Sequence, residues 1–260
     1  MKKIHIIGGG NLGLAIAKGL LNYTTDYKVV LTRRNIDKIK TFNHSNLIIS
    51  NDNLFEIEQA DVIMLCIKPF QVLQVIQEIK PFLKNQIVCS AVSGFDLNQF
   101  VEATEQTQKV FRIMPNIAAE FAESATCISF KDANETDQKI IQDLFNALGT
   151  CVAIDEKLMD AATVLGACGT AYALRYIRAS MQAGIEIGFD ANTALQIAAQ
   201  TVKGAAKMAL DENIHPEQLI DRVTTPQGCT IVGLNEMEHQ GFSSALIKGI
   251  KTSLNKITTN

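Results

Sequence analysis

Three glycines near the amino terminus have the spacing of a phosphate-binding turn. Gly8, Gly10 and Gly13 form G-x-G-x-x-G between KIHII, an apolar run of strand length, and a segment with helical apolar spacing. Glycines there permit a tight turn, let the backbone approach a pyrophosphate and let the helix lie close to the strand. This strand-turn-helix context predicts dinucleotide binding rather than a purely structural turn, with Asn11 and Leu12 in the same loop.

The end of the second expected strand bears on which dinucleotide is bound. NAD-binding proteins usually carry an acidic residue there, about 20 positions after the glycines, that holds the ribose hydroxyls. Here the segment is LTRRN, so Thr32, Arg33 and Arg34 supply a hydroxyl and guanidinium groups instead. These groups suit a 2′-phosphate and favour NADPH, with NADH still open. For one of the two arginines, a solvated basic loop is the alternative interpretation.

A second stretch, RVTTPQGCTIVGLNEME, combines a turn of small residues with a helix that starts immediately after it. The helical pattern is Ile231, Leu234 and Met237. Such a turn exposes backbone N–H groups, and the helix adds its positive end, so residues 225–230 could receive a small carboxylate. A helix cap with no ligand is the alternative.

The elements that must position these groups alternate in the first half of the chain. Expected strands begin with KIHII and continue with YKVVLT, NLIIS, DVIMLCI, QIVCSAV, KVFRIM, TCISF and CVAI. Between them we expect helices at about 36–42, 54–57, 71–83 and 135–148. This alternation predicts an α/β fold of Rossmann type, with a mostly parallel sheet and helices on both faces.

From about Glu156 onward the apolar pattern is helical only. Residues 158–188 predict one long helix, and a second begins after Asp190, which is a good N-cap. We therefore expect a dinucleotide-binding Rossmann domain at 1–155 and an all-α domain for substrate binding and dimerisation at 156–260.

Composition excludes several classes of protein. The chain has 260 residues, of which 47% are hydrophobic, enough to bury a sizeable core. A net charge of −3 without a basic stripe argues against nucleic acid, and the longest uncharged run, 161–174, is too short to span a membrane. The six cysteines are widely spaced and show no zinc-binding pattern. We expect a cytoplasmic enzyme without a metal, with these thiols acting as small core hydrophobes.

With these pieces in place, the chain resembles the pyrroline-5-carboxylate reductase family along nearly its whole length. The resemblance is carried by IGGGNLG, DVIMLCIKP, VSG, FRIMPN, EKLMDAAT with GTAY, and most specifically by HPEQLIDRVTTPQGCTIVGLNEME. That family reduces the cyclic imine of pyrroline-5-carboxylate to proline with NAD(P)H, the last step of proline biosynthesis. The resemblance thus implies hydride transfer to a carbon–nitrogen double bond.

The resemblance also implies which residues contact each ligand. Thr32 and Arg33 would lie at the 2′-phosphate and Asn53 near the adenosine, and two loops would lie beside the nicotinamide: Cys66, Ile67, Lys68, Pro69, and Ala91, Val92, Ser93. The substrate carboxylate would bind at Thr225, Gly228, Cys229 and Thr230. Thr230 would be near the ring nitrogen and is our candidate catalytic hydroxyl.

The sequence departs from the family pattern at the expected substrate pocket. Gly166, Ala167, Cys168 and Thr170 stand in a segment that is typically S-G-S-G-P-A-Y, Gln227 replaces a glycine, and Arg222 replaces a small or polar residue. Another cyclic imine and a non-catalytic dinucleotide sensor therefore stay open as alternatives. A 3-hydroxy acid would normally need a lysine on the long helix, which residues 158–188 lack.

Reduction of a protonated imine needs few catalytic side chains, because the cation accepts hydride directly. The four histidines are isolated in the sequence, which agrees with this chemistry. We expect three carboxylates, Asp155, Glu156 and Asp160, to be solvated residues at a helix start.

The sequence also predicts how the chains assemble. The Ala-, Gly- and Ile-rich faces of the helical half exceed what one chain can cover, which predicts a homodimer through these helices. The family resemblance implies the same, and some of its members build larger rings from such dimers.

Overall fold

The computed structural model describes residues 1–105, 109–212 and 214–259. The chain forms two compact units, Met1–Cys168 with Leu254–Asn260, and Gly169–Ser253. The first unit holds a β-sheet, and the second is helical. Which ligand each part binds is not decided by this division, so the functional boundary near residue 155 stays a prediction.

The first unit is built on one eight-stranded sheet. Its strands are β1 (Lys2–Ile7), β2 (Tyr27–Thr32), β3 (Leu47–Ser50), β4 (Val62–Leu65), β5 (Ile87–Ser90), β6 (Lys109–Met114), β7 (Ser124–Lys131) and β8 (Gly149–Ala153). The spatial order is β3-β2-β1-β4-β5-β6-β7-β8. All neighbours are parallel except β6 and β7, which are antiparallel. The order reverses between β1 and β4, which is where such sheets bind ligands.

Both faces of the sheet are buried. On β1, Ile4 and Ile6 belong to one core cluster and Ile7 to the other. The first cluster is covered by α1 (Asn11–Tyr23) and α4 (Glu135–Asn146), the second by α2 (Val72–Ile79) and α3 (Leu97–Ala103). A sheet covered on both faces needs apolar residues in both directions, which explains fully buried runs such as Val62–Leu65. The predicted Rossmann-type fold is confirmed.

Several helices expected in this unit are shorter in the structure. Instead of helices at 36–42 and 54–57 there are single 3₁₀ turns, Ile36–Lys38 and Ile57–Gln59. Segments this short cannot offset the cost of nucleating an α-helix. The helix expected at 71–83 is α2 followed by the 3₁₀ turn Lys80–Phe82, because Pro81 interrupts the hydrogen-bond ladder.

The long helix expected at 158–188 is continuous from Met159 to Glu186 but is not α-helical throughout. The structure has α5 (Met159–Ala162), then a π-helical segment, Thr163–Cys168, then α6 (Gly169–Glu186). Two side chains compete for backbone groups here. The Thr163 hydroxyl donates to the Met159 carbonyl at 2.8 Å, and the Asn116 amide donates to the Gly166 carbonyl at 3.2 Å. Such competition widens the regular ladder.

The described residues of the second unit form helices and the turns between them. Its elements are α6, α7 (Ala191–Asp211), α8 (Pro216–Arg222), α9 (Cys229–His239) and most of α10 (Phe242–Thr258). The Asp190 side chain caps α7 by accepting from the N–H groups of Asn192 and Thr193, as expected. A Cβ on Gly184 would lie 2.9 Å from the Ala194 Cβ, so small residues let α6 and α7 approach closely.

Many large apolar side chains on these helices are exposed to solvent in the single chain. They include Leu174, Tyr176, Ile185, Ile187, Leu195, Ile197, Leu210, Val232, Leu246 and Ile247. Within the described part of the chain, no helix combines the length and the hydropathy needed to cross a bilayer.

Candidate functional sites

The glycine loop has the geometry of a close backbone approach. Gly8 has a φ of +112°, and a Cβ there would lie 2.3 Å from the Cys66 carbonyl oxygen. A Cβ on Gly13 would lie 2.2 Å from the Gly8 carbonyl oxygen. Gly10 has no neighbouring atom within 4 Å of the Cβ position, so its outer face is open. The first and third glycines are thus required by the protein itself, and the second leaves room for a ligand.

The start of α1 completes an anion-binding surface. Gly10 is the N-cap and supplies no side-chain hydrogen bond, and the first turn contains no acidic residue. The N–H groups of Asn11 and Leu12 therefore keep their bonding capacity, and the helix dipole adds positive potential. This arrangement fits the pyrophosphate of a dinucleotide.

At the end of β2, one polar side chain is buried and two arginines follow it at the edge of the sheet where such folds bind ligands. Thr32 is fully buried, and its hydroxyl donates to the Asn53 Oδ1 at 2.8 Å. The Arg33 guanidinium donates to the Gly9 carbonyl, which holds it beside the glycine loop, and Arg34 is exposed. The Thr32 hydroxyl is thus used within the protein, and the two arginines stay the candidates for a 2′-phosphate contact.

The loops after β4 and β5 lie at the same edge of the sheet. The Cys66 N–H donates to the Ile7 carbonyl at 2.8 Å, and the Ala91 N–H donates to the Leu65 carbonyl at 3.0 Å. These bonds continue the parallel ladders by one residue and align Gly8, Cys66 and Ala91. The segments 66–69 and 91–93 thus follow carboxyl ends of adjacent strands, where open sheets bind ligands.

Side chains in these loops differ in what they offer a ligand. Lys68 and Pro69 are exposed, Ile67 and Ser93 are half-buried, and Val92 packs into the core. Burial raises the pKa of the Cys66 thiol to about 12, so this thiol stays protonated at neutral pH. Cys66 can line the pocket but cannot act as a thiolate nucleophile.

The second candidate site is the turn that precedes α9. The Gly228 N–H donates to the Thr225 carbonyl at 2.9 Å, and Gly228 is the N-cap of α9 without a side-chain cap. A Cβ on Gly228 would lie 2.5 Å from the Thr225 Oγ1. The exposed Cys229 and half-buried Thr230 are the first two residues of the helix. The turn thus presents N–H groups and hydroxyls at a helix N-terminus, as a carboxylate receptor requires.

Gln227 lies in the same turn with a φ of +59°, in the left-handed region. The family pattern has glycine at this position, and glycine adopts that conformation without strain. The backbone of the turn therefore keeps the shape that a glycine would give it, and the departure adds an exposed side chain. Arg222, another departure, forms an ion pair with Glu212.

Two expectations about polar residues need correction. Glu156 and Asp160 are not merely solvated: both bind the guanidinium of Arg112, which is 4% exposed, whereas Asp155 caps the turn that begins at Glu156. The thiols also differ from the expected core hydrophobes. Cys89 is buried, Cys66, Cys127, Cys151 and Cys168 are half-buried, and Cys229 is exposed.

Sequence reasoning missed two polar pairings, one of them with a candidate site residue. Glu78 on α2 accepts a hydrogen bond from the Asn53 amide at 3.1 Å, a contact without a local sequence signal. Arg112 was visible as a lone charge within the apolar strand KVFRIM, and a charge there requires a buried partner. Among the described residues, no three His, Cys, Asp or Glu side chains group into a site that could hold a metal.

One histidine of the first unit lies inside the sheet. His5 on β1 is fully buried, and its pKa is lowered to about 4, first by burial and then by the charge of Lys3. It is therefore neutral at physiological pH.

The sheet order, its switch point and the open glycine loop define a dinucleotide-binding protein of the Rossmann class. Residues 3–94 match the family model described as NADP oxidoreductase coenzyme F420-dependent, and residues 156–259 match pyrroline-5-carboxylate reductase dimerisation. Pyrroline-5-carboxylate reductase 2 of Dictyostelium discoideum is 40% identical over 98% of this chain and 92% of its own. The chain belongs to the pyrroline-5-carboxylate reductase family, as the resemblance in its sequence predicted.

Other proteins that are similar to this chain carry the same family name. The chain is 39% identical to pyrroline-5-carboxylate reductase 1 of D. discoideum, but spans about half of that protein, 49%. A crystal structure of Plasmodium falciparum pyrroline carboxylate reductase with NADP bound superposes with a TM-score of 0.89 at 26% identity, covering 99% of this chain and 97% of that one. The reductase of Streptococcus pyogenes gives 0.85 at 29% identity, covering 99% and 98%.

Proposed function

We propose that this protein reduces 1-pyrroline-5-carboxylate to L-proline with NADPH, the last step of proline biosynthesis. The observation that carries the proposal is the similarity to pyrroline-5-carboxylate reductase 2 of D. discoideum, which is 40% identical to this chain over 92% of its own length. The open glycine loop and the turn before α9 support it, because they offer one anion site for a dinucleotide and another for a small carboxylate.

The cofactor contacts follow from the first unit. We assign the pyrophosphate to the loop Gly8–Gly13 and the start of α1, and the 2′-phosphate to Arg33, which Gly9 holds in place. Asn53 would contact the adenosine, and segments 66–69 and 91–93 would line the nicotinamide end. The NADP-bound relative and the match to an NADP oxidoreductase model support NADPH, and NADH remains a weaker alternative.

Substrate binding is assigned to the second unit. Backbone N–H groups of the turn and of α9 bind the carboxylate, with Thr225, Gly228 and Cys229 forming the turn. The Thr230 hydroxyl oxygen accepts from the protonated imine nitrogen and so favours the cation that receives hydride. NADPH supplies that hydride. No strong base is needed, since the substrate can bind already protonated.

Homodimerisation is the proposed assembly. The match of residues 156–259 to a dimerisation model supports it, and so do the exposed apolar side chains of α6, α7 and α10. We expect light scattering at micromolar concentration to give twice the chain mass. A multiple of that mass would indicate a ring of dimers, and a single-chain mass would contradict the proposal.

We also propose a cytoplasmic location. All six cysteines are free in the structure, as a reducing compartment requires.

The activity is tested by following nicotinamide absorbance with NADPH and a panel of cyclic imines. We expect oxidation that depends on pyrroline-5-carboxylate and yields proline. Faster turnover of a different imine would show that Gln227, Cys168 and Thr170 have changed the substrate. Tight NADPH binding without turnover of any imine would indicate a dinucleotide sensor and would overturn the proposal.

A further inference from the structure

Three polar side chains form a line from the end of β2 to α2. The Thr32 hydroxyl donates to the Asn53 Oδ1 at 2.8 Å, and the Asn53 Nδ2 donates to the Glu78 Oε2 at 3.1 Å. Thr32 is fully buried, Asn53 is half-buried and Glu78 is exposed on α2. The line therefore connects the interior of the sheet to the solvent through a single amide.

Glu78 decides which way that amide faces. An ionised carboxylate only accepts hydrogen bonds, so it must receive the amide nitrogen and not the amide oxygen. The oxygen then faces Thr32, whose hydroxyl is free to donate. Without Glu78 the hydroxyl could donate or accept, and both orientations of the Asn53 amide would be allowed.

The orientation of Asn53 matters because of its place in the fold. Thr32 is the last residue of β2, and Rossmann proteins read the adenosine ribose just past that strand. The Thr32 hydroxyl is turned inward and used by Asn53. The second N–H of the Asn53 amide then joins Arg33 and Arg34 among the donors at this edge.

We infer that Glu78 is a positioning residue for the adenosine half of the cofactor, acting by fixing the Asn53 amide. This rests on the proposed function only in that the cofactor is a nicotinamide dinucleotide. Glu78 also carries a negative charge near a site for phosphate, and this charge by itself opposes NADPH binding. Its contribution is therefore geometric, and comparing NADPH with NADH separates the two effects, because only NADPH carries the 2′-phosphate.

Glu78→Gln removes the charge and can donate as well as accept, so it keeps a hydrogen-bond partner for Asn53 but allows both orientations of the amide, whereas Glu78→Met removes the partner altogether. Gln77→Met is the matched control, because Gln77 is the preceding exposed residue on the same helix. Dissociation constants for NADPH and NADH are measured by fluorescence titration without imine. We expect Glu78→Met to raise both constants about 3- to 10-fold, the range for one lost hydrogen bond between neutral groups. Glu78→Gln should raise both constants about twofold, as expected when the two amide orientations are equally populated, and Gln77→Met should leave them unchanged.

The same titrations in protein that also carries Asn53→Ala test whether Glu78 acts through Asn53. If Glu78 acts through Asn53, Glu78→Met should add less than about twofold there. An equal effect on both backgrounds would overturn the inference, as would unchanged constants for Glu78→Met alone. Thermal unfolding should give Glu78→Met and Gln77→Met similar midpoints, and a much lower midpoint for Glu78→Met would assign Glu78 a structural role instead.

The titrations distinguish failure of this inference from failure of the proposed function. The titrations need no imine, so they remain decisive even if pyrroline-5-carboxylate is not the substrate. A wild-type chain that binds neither dinucleotide would overturn the proposed function and this inference together. Where turnover is observed, the KM for NADPH should rise in Glu78→Met while kcat stays within about twofold.

Discussion

Arg112 donates a hydrogen bond to Glu156 at 2.9 Å from within the sheet, and its side chain is 4% exposed. The same guanidinium donates to Asp160 at 2.6 Å, and the Leu97 N–H donates to Glu156 at 3.1 Å. Glu156 thus joins β6, the start of α3 and the turn that leads into α5. A buried guanidinium needs these carboxylates, because an unpaired charge in the interior is strongly unfavourable.

Removing Glu156 should therefore destabilise the protein. We expect Glu156→Ala to lower the free energy of unfolding by about 3 kcal/mol, at the lower end for a broken buried pair because Asp160 still binds Arg112. Asp155→Ala is the control, since Asp155 caps an exposed turn and pairs with the exposed Lys157, and it should cost much less. Urea unfolding measures both. Equal losses would show that the pair with Arg112 contributes little.

Cofactor preference should depend on Arg33. We expect Arg33→Asp to raise the KM for NADPH about 10- to 100-fold and to leave or lower that for NADH, since a carboxylate repels the 2′-phosphate and can bind the ribose hydroxyls. Initial-rate kinetics with each cofactor measure the change. Lys38→Asp, an exposed substitution with the same charge change, should leave the ratio nearly unchanged. Equal kinetics with both cofactors in the wild-type enzyme would refute this role.

Thr230 should matter for the imine and not for the cofactor. We expect Thr230→Ala to lower kcat/KM for the imine about 10- to 100-fold, the effect of losing a hydrogen bond to a charged group, while NADPH affinity persists. Thr230→Ser retains the hydroxyl and should keep most of the activity. Proline should compete with the imine in the wild-type enzyme. Unchanged kcat/KM in Thr230→Ala would remove this hydroxyl from the mechanism.

Gln227 should be replaceable by glycine without loss. Its φ of +59° strains a residue with a Cβ by about 1 kcal/mol, so Gln227→Gly should be neutral or stabilising in urea unfolding. Gln227→Val, which is β-branched, should destabilise the turn further. Because the backbone shape is retained, kcat/KM should not fall in the glycine variant. A decrease of more than tenfold would mean that the glutamine side chain binds substrate.

Stability should decrease in mild acid because of His5. Burial lowers its pKa to about 4, below the unfolded value of 6.5, so the unfolded chain binds the extra proton between these values. The free energy of unfolding has its full value above pH 6.5 and decreases as the pH falls toward 4. At pH 5 this decrease is about 2 kcal/mol. Lys3 reinforces the shift, whereas Asp52 and Glu56 oppose it.

The measurement is urea unfolding at pH 7.5 and pH 5 at one protein concentration. His5→Phe should remove most of the decrease in unfolding free energy between pH 7.5 and pH 5, whereas His239→Phe, at an exposed position, should not. A wild-type pH dependence retained in His5→Phe would assign the effect to other groups.

The sequence predicted the features that depend on neighbouring residues. The glycine loop, the cap at Asp190 and the strand periodicities are local, and the structure has all three. The pairs Arg112–Glu156 and Asn53–Glu78 join positions 44 and 25 residues apart, and no local pattern encodes them. The π-helical segment was missed because its apolar spacing differs little from that of an α-helix.

The substrate turn was predicted only in part. Its small residues and the helix after it were visible in TTPQGCT, but the left-handed conformation of Gln227 was not, since glutamine rarely adopts it. That conformation depends on the whole turn, including the bond from Gly228 to Thr225.

The two outermost strands of the sheet have a consequence for handling the protein. In the described chain, β3 pairs only with β2 and β8 only with β7, so each has one row of peptide groups without a strand partner. Neither strand contains a lysine or proline, and Ile48 and Val152 are 40% and 48% exposed. Such edges can template pairing between molecules, although they are only four and five residues long and the Cys151 N–H of β8 already donates to the Asn146 Oδ1. Aggregation during concentration or partial unfolding should therefore begin at these strands, and a lysine at Val152 should suppress it.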